Sequence, residues 1–438
     1  MSAHCRPFGI GLLGLGTVGS AVAKLLLQEA ERVTERCGRP IELVKILVKD
    51  REKVRDSWIP SDLLTTDLSG ILNHPSIDLV VELVGGCDWA LGAIEGALRA
   101  GKDVVTANKA VLAQHGTRIF QTARDSGTCL AFEGSVGGGI PIIGSLVRGL
   151  AANRIVAIQG ILNGTSNYIL SKMCEEGLDY QSALKSAQKL GYAEADPTLD
   201  VDGTDAAHKL MVLAQIAFKS FAGLETIPCR GIVQIDPLDI QYADELGYTI
   251  KLLAESWNTG QGLAMHVSPV LLRKSSPLAQ VRGAYNAIRV VGDAVGDTLF
   301  YGLGAGGMPT ASAVVGDIIS LGISRGFALY QTSRLWRLDG MQVRRVPPGE
   351  ISSRFYLRLQ VSDRPGVMAG IAGVLAKHNI SISSVIQNEI PDDQAGGSVQ
   401  MVIMTHTATS GDFEKACLEL GRLDYVAKAP VCYPIGEL

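Results

Sequence analysis

The chain has 438 residues, of which 47% are hydrophobic and 19% charged, and its formal net charge is -4. This length exceeds what one hydrophobic core usually serves, so we expect two to four domains, and the 50 glycines suit an α/β protein with many tight turns. The slightly acidic balance and the lack of a Lys/Arg run argue against nucleic acid as a partner.

The eight cysteines are scattered, without metal-ligand spacing or an obvious disulfide framework, so we expect reduced thiols that lie mostly in cores. Only a short polar stretch, residues 1–7, precedes the first predicted strand, which does not resemble a signal peptide. No apolar run reaches membrane-spanning length. These features predict a cytoplasmic protein with no membrane partner.

The first 140 or so residues alternate near-continuous apolar runs with helical patterns, which predicts a parallel sheet covered on both faces. The predicted strands are Phe8 to Leu13, Ile41 to Val48, Ile77 to Val84, Lys102 to Thr106 and Thr128 to Phe132.

A glycine-rich segment follows the first strand and opens a helix that we expect to begin at Thr17. The free N–H groups and positive dipole end of such a helix favour a pyrophosphate, whereas the glycines alone are also compatible with a plain tight turn. The context favours a dinucleotide site, and its candidate residues are Gly14, Gly16, Thr17, Val18 and Gly19.

The end of the second strand carries Lys49, Asp50 and Arg51. An acid there would bind a ribose diol and bases would bind a 2′-phosphate, so two bases against one acid favour NADP, with NAD as the alternative. A solvated charge cluster would explain the same residues.

Thr106 to Lys109 directly follow a predicted strand, at the sheet edge where ligands bind in such folds. Lys109 should therefore point toward cofactor and substrate, although a surface lysine at a helix start is the simpler alternative. Glu82, within an apolar run, should face the crevice or pair with a cation, because an unpaired buried carboxylate is costly.

The segment from Glu133 to Pro141 is glycine-rich and follows a strand. Its backbone carbonyls could turn inward toward a hard cation, and the segment could equally be a hinge between domains. A helix that starts at Pro141, a strand from Arg154 to Leu162 and three further helices indicate a mixed α/β middle domain. Those helices are Tyr168 to Cys174, Tyr180 to Leu190, closed by Gly191, and Thr204 to Ala217.

Five carboxylates lie within twelve residues from Glu194 to Asp205. Asp205 and Lys209 are four apart at the start of a helix, so they share a face, as an ordinary salt bridge would. The crowding of Glu194 and Asp200 beside them suits a site that holds a substrate ammonium and polarises a carbonyl, with Lys209 able to donate a proton.

The chain becomes polar from Gly340 to Ser353, which predicts a linker. Beyond it the order of elements is βαββαβ, a ferredoxin-like unit. The predicted elements are strand Phe355 to Val361, helix Val367 to His378, strands Ile380 to Gln387 and Ser398 to Thr405, helix Asp412 to Leu420 and strand Tyr425 to Tyr433.

Taken together, these motifs resemble homoserine dehydrogenase in its long form, which carries a C-terminal ACT regulatory domain. The resemblance covers nearly the whole chain and rests on the glycine fingerprint, Thr106 to Lys109, the loop from Glu133, Leu162 to Tyr168, Gly191 to Lys209, and Gly302 to Gly306 with Pro309 and Thr310. With no domain before the first strand, a fused aspartate kinase is not expected.

The resemblance implies reduction of L-aspartate 4-semialdehyde to L-homoserine with NAD(P)H, toward threonine, methionine and isoleucine. It makes Lys209 the proton donor, with Asp205 beside it and Lys109 at the cofactor and substrate. Glu194 would hold the substrate, and Asp200 and Gly191 join it as substrate-binding candidates.

The resemblance also implies a monovalent cation, taken as sodium, on backbone oxygens of Glu133, Val136, Gly138 and Ile140. Gly306 would return to the nicotinamide side of the cofactor. Lys49 and Thr106 complete the cofactor candidates.

In the tail, two turns resemble the ligand-binding turns of ACT domains, which bind amino acids between paired copies. Threonine is the expected effector, and the candidate residues are Asp363, Gly366, Val367, Asn379 and Ile380. The domain could instead serve only assembly. We expect a homo-oligomer, either a dimer or a tetramer.

The resulting fold class is α/β, with a Rossmann-type parallel sheet, a mixed α/β catalytic and dimerisation domain, and a ferredoxin-like ACT domain. The expected boundaries are 1–140, with 302–325 packed back onto it, 141–339, a linker 340–353, and 354–438. Two rivals are another amino-acid dehydrogenase, which the Gly191 to Lys209 signature disfavours, and a dinucleotide-sensing regulator, which the Asp205 and Lys209 pair disfavours.

Overall fold

The computed structural model describes residues 6–220, 223, 226–336, 343–387 and 398–436. The chain divides into two compact units. Unit 1 comprises Met1–Gly164, Ala207–Thr226 and Tyr285–Val343, and unit 2 comprises Thr165–Ala206, Ile227–Ala284 and Arg344–Leu438.

Unit 1 opens with a six-stranded parallel sheet in the order β3-β2-β1-β4-β5-β6. Its strands are β1 Phe8–Leu13, β2 Ile41–Leu47, β3 Leu64–Thr65, β4 Leu79–Glu82, β5 Asp103–Thr106 and β6 Leu130–Ala131. The intervening helices are α1 Thr17–Gln28, α2 Ala30–Cys37, α3 Leu68–Leu72, α4 Asp88–Arg99 and α5 Lys109–Asp125. The predicted Rossmann-type sheet is confirmed, and the short edge strand β3 was not predicted.

The middle of the chain supplies elements to both units. They are α6 Ile142–Gly144, β7 Ile155–Ile161, α7 Gly164–Glu176, α8 Tyr180–Lys189, α9 Thr198–Val201, α10 Thr204–Phe218, α11 Pro237–Glu245, β8 Tyr248–Asn258, β9 Leu263–Arg273, β10 Tyr285–Gly292, β11 Gly296–Leu303, α12 Gly307–Ile323 and α13 Arg325–Leu335. The helix predicted from Pro141 is a single turn that continues as a π-helical turn, Ser145–Gly149.

Within unit 1, α12 packs against α1 and completes the core on one face of the sheet. Val314 and Ile318 of α12 lie in the same buried cluster as Val22 of α1 and Leu12 of β1. The β7, β10 and β11 strands of this unit form an antiparallel group with β10 in the middle. The segment after β11 therefore returns to the first sheet.

The C-terminal segment folds as β12 Ser352–Ser362, α14 Val367–Lys377, β13 Ile382–Gln387, β14 Ser398–Thr405, β15 Ala408–Thr409, α15 Ser410–Leu420 and β16 Val431–Ile435. The sheet order β16-β12-β14-β13, all antiparallel, confirms the ferredoxin-like unit. The last strand begins at Val431 and not at Tyr425. Val426 forms only an isolated antiparallel bridge with Val361, and the pairing is interrupted before Pro430, which has no N–H for a ladder hydrogen bond. We call residues 352–436 the C-terminal module.

Within unit 2, the C-terminal module contacts the other chain segments of the same unit. Its β8 and β9 form an antiparallel hairpin, and β16 pairs with β9 through Ile435 and Leu271. A buried ion pair adds to the join: Arg358 of β12 donates to the fully buried carboxylate of Asp239 on α11 at 2.9 Å. The hydroxyl of Tyr356 donates to the same carboxylate at 3.0 Å.

The described cysteines are free thiols, as expected, but the prediction that most lie in cores is wrong. Cys37 and Cys129 are buried, whereas Cys174 and Cys229 are exposed and the others are half-buried. Cys5 lies outside the described residues, as does the start of the predicted linker. Across the described ranges, no helix is both long and apolar enough to span a membrane.

Candidate active site

The glycine loop between β1 and α1 is shaped by close backbone approaches. Gly14 has a φ of 95°, and a Cβ on Gly19 would lie 2.2 Å from the carbonyl oxygen of Gly14, so neither position accepts a side chain without a shift. A Cβ on Gly16 would meet nothing within 4 Å. No side chain caps α1, so its first N–H groups face this open space, as a pyrophosphate site requires.

A second helix begins beside this loop. Gly306 is the N-cap of α12 and has a φ of 118°, and a Cβ on Gly307 would lie 3.1 Å from the carbonyl oxygen of Thr17. The starts of α1 and α12 therefore lie against each other within unit 1, and Gly306 belongs to the same neighbourhood as the fingerprint.

The ends of β4 and β5 are joined by a hydrogen-bonded carboxylate. Glu82 is fully buried and accepts from the hydroxyl of Thr106 at 2.7 Å and from the N–H groups of Val84 and Gly85. Sequence reasoning expected Glu82 to face the crevice or to pair with a cation. These three donors stabilise its charge and fix the turn after β4.

Lys109 is the first residue of α5 and is half-buried. The side-chain oxygen of Asn108 accepts from the N–H of Val111 and so caps this helix, and its amide nitrogen donates to the carbonyl of Gly86 at 2.7 Å. These bonds fix the start of the helix beside the turn after β4. A cation in the first turn opposes the helix dipole, so a nearby anion would stabilise it.

The loop after β2 leaves Lys49 exposed. The Asp50 carboxylate accepts from the N–H of Glu52 at 2.8 Å, and Arg55 folds back onto the carbonyl oxygens of Asp50, Arg51 and Lys53. Arg55 is thereby occupied in holding the loop, and Lys49 is a charged side chain that projects from it.

The glycine-rich loop runs from a 3-10 turn, Glu133–Ser135, through Val136 to Ile140. Gly138 has a φ of 53° and lies so close to Gly304 that a Cβ would be 2.6 Å from the Gly304 carbonyl carbon. The carbonyl of Ile140 accepts from the N–H of Ile142 at 2.8 Å and keeps a second lone pair.

Sequence reasoning missed Asp317, which lies beside this loop on α12. Its carboxylate accepts from the N–H of Glu133 at 2.8 Å, and the Glu133 carboxylate accepts from the N–H groups of Ile143 and Gly144. Burial, and then the charge of Glu133, raise the pKa of Asp317 to about 8. Burial also raises the pKa of Glu133, and Arg148 opposes both shifts. No periodic pattern in the sequence joins positions 133 and 317.

Lys209 is 8% exposed on α10, and its ammonium donates to the carbonyl of Leu162 at 2.6 Å. Asp205 is also 8% exposed and lies one turn earlier on the same helix. Both side chains therefore share one face of α10, as their spacing predicts.

The other predicted carboxylates lie in the loop between α8 and α10, in unit 2. Gly191 has a φ of 76°, as a helix C′ residue often does, whereas Glu194 is exposed and Asp200 lies half-buried in α9. Two hydroxyls from the start of α7 hold this loop: Thr165 donates to the carbonyl of Tyr192 and Ser166 to that of Asp200, both at 2.6 Å.

Lys251 is a second residue that sequence reasoning missed. It is 3% exposed on β8 and donates to the side-chain oxygen of Asn167, on α7, at 3.0 Å and to the carbonyl of Val281. Burial lowers its pKa to about 8. Lys251 therefore anchors α7, whose first residues hold the loop between α8 and α10. Nothing in the sequence indicated this role, because Lys251 is an isolated lysine within a strand.

The predicted effector residues lie at both ends of α14. Asp363 and Gly366 are exposed in the turn before it, and Gly366 is its N-cap with a φ of 91°. Asn379 follows the helix with a φ of 57°, which is unusual for a residue other than glycine. Val367 and Ile380 are buried in the module core.

Three family profiles match the chain. The profile described as "Homoserine dehydrogenase, NAD binding domain" matches residues 14–133, the one described as "Homoserine dehydrogenase" matches 141–319, and the one described as "ACT domain" matches 355–416.

Known proteins match over nearly the full length. The homoserine dehydrogenase of Neisseria gonorrhoeae is 43% identical over 426 residues, which cover 97% of each chain. The solved homoserine dehydrogenase of Thiobacillus denitrificans has a TM-score of 0.92 at 40% identity and covers 99% of each chain. A hyperthermophilic archaeal homoserine dehydrogenase solved in complex with NADPH has a TM-score of 0.61 at 26% identity, covering 72% of this chain and 97% of its own.

Proposed function

The chain belongs to the homoserine dehydrogenase family, and from that premise we propose that it reduces L-aspartate 4-semialdehyde to L-homoserine with NADPH. The product would serve threonine, methionine and isoleucine biosynthesis. The observation that carries the proposal is the position of Lys209. Its side chain is buried and lies one helical turn after Asp205, near the start of α10.

The residues around the glycine loop fit a nicotinamide dinucleotide. The open space over Gly16 and the uncapped start of α1 suit a pyrophosphate, and Gly306 at the start of α12 adds a second set of N–H groups nearby. Thr17, Val18 and Thr106 line the same sheet edge. When bound, the cofactor would supply the hydride for reduction of the aldehyde carbon.

We assign the choice of NADP over NAD to Lys49. Its exposed ammonium follows β2, where a 2′-phosphate would lie, and the neighbouring Asp50 is engaged in its own loop. The NADPH complex of the archaeal relative supports this choice.

Lys209 is the proposed proton donor. As negative charge grows on the aldehyde oxygen, its ammonium would transfer a proton to that oxygen, while the bond to the Leu162 carbonyl keeps the side chain in place. Asp205 would orient the ammonium. Lys109, at the start of α5, would contact both cofactor and substrate and share the charge stabilisation.

Glu194, Asp200 and Gly191 are the proposed substrate-binding residues. Carboxylates suit the ammonium of an amino-acid substrate, and the hydroxyls of Thr165 and Ser166 hold the loop that carries them.

A monovalent cation, taken as sodium, is proposed on the backbone oxygens of Glu133, Val136, Gly138 and Ile140. Backbone carbonyls are ligands for hard cations. Burial raises the pKa of the Glu133 and Asp317 carboxyl groups beside the loop, and a cation bound there would favour their charged forms.

Threonine is the proposed effector of the C-terminal module, bound by Asp363, Gly366, Val367, Asn379 and Ile380. The left-handed backbone at Gly366 and Asn379 exposes main-chain polar groups at both ends of α14, which suits an amino acid.

A homo-oligomer, dimer or tetramer, is proposed on an exposed apolar face. Alternate residues of β11 are exposed, and the ring of Tyr301 stacks on that of Tyr285 of β10 at 5.0 Å. The exposed apolar residues here are Tyr285, Leu299, Tyr301 and Leu303. An exposed apolar face of this kind favours contact with a second copy of the chain. We also propose the cytoplasm as the compartment of this protein. The domain boundaries given above remain proposals.

One assay tests the reaction. Purified full-length protein is offered aspartate 4-semialdehyde with NADPH or NADH, with and without threonine, and oxidation is followed by absorbance. We expect faster oxidation with NADPH and slower oxidation when threonine is added. Failure to oxidise either cofactor would overturn the proposed activity.

A further inference from the structure

The buried lysine of β8, Lys251, belongs to a closed ring of hydrogen bonds in unit 2 that the proposed reaction does not use. Its ammonium donates to the side-chain oxygen of Asn167 on α7 at 3.0 Å and to the carbonyl of Val281 at 2.5 Å. The amide nitrogen of Asn167 donates in turn to the carbonyls of Val281 and Gly283, at 3.3 and 2.9 Å. These bonds tie β8, α7 and the segment before β10 to one another.

Ser171, one turn further along α7, adds a second link to the same segment. The N–H of Gly283 donates to the hydroxyl oxygen of Ser171 at 3.1 Å, and this hydroxyl donates to the carbonyl of Asn167 at 2.7 Å. Ser171, Asn167 and Lys251 are all buried, so these bonds are shielded from water. The first two turns of α7 are therefore fixed by buried polar groups.

The charge of Lys251 makes this attachment stiff. Hydrogen bonds from an ionised donor are shorter and roughly twice as strong as those between neutral groups. The two acceptors are neutral oxygens, and burial of an ammonium against such partners is costly. An apolar side chain of similar volume at such a position is often neutral or stabilising. The ammonium therefore fits a demand for a precisely held α7 better than a demand for stability.

The start of α7 carries this constraint to the loop between α8 and α10. The hydroxyls of Thr165 and Ser166 donate to carbonyls of that loop, those of Tyr192 and Asp200, both at 2.6 Å. Asn167 follows these two residues directly, within one helical turn. The amide that anchors α7 and the hydroxyls that hold the loop are thus parts of one rigid turn.

We propose that Lys251 is a positioning residue for substrate binding, which acts through Asn167 and α7 to hold the loop that carries Glu194 and Asp200. The inference rests on the proposed function of those two carboxylates as the site for the ammonium of an amino-acid aldehyde. Lys251 would contact neither substrate nor cofactor. Without its ammonium the loop would sample more conformations, and the apparent affinity for substrate would fall with the fraction of molecules that can bind.

Steady-state kinetics of K251M provide the first test, since methionine keeps the length of the side chain and removes the charge. KM for aspartate 4-semialdehyde should rise at least about fivefold while kcat stays within about twofold, and the Kd for NADPH should not change. K102M is the matched control, because Lys102 is also buried and also donates to main-chain carbonyls, those of His74 and Ile77 in unit 1. A fall in kcat at constant KM, or an equal rise of KM in K102M, would overturn the proposal.

The double variant K251M/N167L tests the route through Asn167. Both substitutions break the same link, so KM of the double variant should match that of N167L alone. Effects that multiply in the double variant would show that Lys251 acts by another path, against the proposal. S171A removes one hydroxyl from the same set of bonds and should raise KM in the same direction, so the inference is still tested if K251M does not fold.

Hydrogen exchange followed by mass spectrometry examines the loop without substrate. In folded K251M, verified by circular dichroism, peptides that cover residues 190–203 should exchange several-fold faster than in the wild type, whereas those of α1 and α5 should not change. A wild type that oxidises no cofactor would refute the dehydrogenase reaction, and the exchange rates would still show whether Lys251 orders the loop. Unchanged exchange of the loop in K251M would overturn the inference even in an active enzyme.

Discussion

The ammonium of Lys209 donates to the carbonyl oxygen of Leu162 at 2.6 Å, so the proposed proton donor is held by the backbone just after β7. This bond positions the amine within the buried site. Both kcat and the free energy of unfolding must therefore be measured for any Lys209 variant.

Replacing Lys209 with Met removes the ammonium and keeps the length of the side chain. We expect kcat to fall about a hundredfold or more, as the loss of a general acid does, while NADPH binding measured by fluorescence changes little. Lys219→Met is the control, because Lys219 also donates to backbone carbonyls, those of Arg334 and Leu335, but lies ten positions further along the chain. Unchanged turnover in K209M would refute the assigned role.

The fingerprint glycines should separate cofactor binding from folding. G16A places its methyl group in open space, so stability should be unchanged while the Kd for NADPH rises. G19A directs a methyl group to within 2.2 Å of the Gly14 carbonyl oxygen, so it should also destabilise the fold by about 1–3 kcal/mol. Thermal melts and cofactor titrations distinguish the two, with G92A on α4 as a control that alters neither the site nor the packing. NADPH binding by G16A at the wild-type Kd would place the pyrophosphate elsewhere.

Reversing the charge of Lys49 should change cofactor preference. In K49E, the ratio of kcat/KM for NADPH to that for NADH should fall about ten- to a hundredfold, because a charged hydrogen bond to phosphate contributes about 1.5–3 kcal/mol. K53E, four residues later in the same exposed loop, is the matched control. An equal effect of both substitutions would indicate a general electrostatic effect of the loop charge and would exclude a direct contact between Lys49 and the 2′-phosphate.

Asn379→Gly tests the effector site without straining the backbone. Glycine adopts the φ of 57° readily, so the change removes the amide side chain and should leave the module folded. We expect threonine inhibition to weaken at least several-fold while the uninhibited rate is retained. Inhibition curves settle the matter, and an unchanged threonine response would exclude the Asn379 side chain from the site.

Lys251 should make stability depend on pH in the alkaline range. Its folded pKa is about 8 and its ordinary value 10.5, so between these values the unfolded chain binds more protons. The free energy of unfolding attributable to Lys251 should therefore rise as pH increases from about 8 to about 10. Urea titrations of the wild type and K251M at several pH values measure the difference between them. A difference that stays constant with pH would contradict the shift.

Local patterns predicted much of this molecule. The apolar runs located β1, β2, β4, β5 and β6, and Gly191 marked the end of α8, because burial on both faces and helix termination leave signatures within a few residues. The two-residue strand β3 is too short to show a period, and the hairpin strands β8 to β11 were not located.

The missed site residues have a different cause. Asp317 acquires its environment from Glu133, and Lys251 from Asn167 and Val281, each far away along the chain. A single sequence shows which residue types are unusual in a helix or strand but not which distant group makes them so.

The Asp239 and Arg358 pair determines what the loss of the C-terminal module would do to the rest of this chain. The archaeal relative of known structure matches only 72% of this chain, although 97% of its own length is covered. Here, deletion of β12 would remove both the guanidinium and the Tyr356 hydroxyl from a carboxylate that is fully buried. Replacing Arg358 alone would leave this carboxylate buried without its cation, at a cost of about 3–5 kcal/mol, whereas loss of the whole C-terminal module would expose it to water. The module is therefore lost more readily as a whole than its buried cation is changed alone.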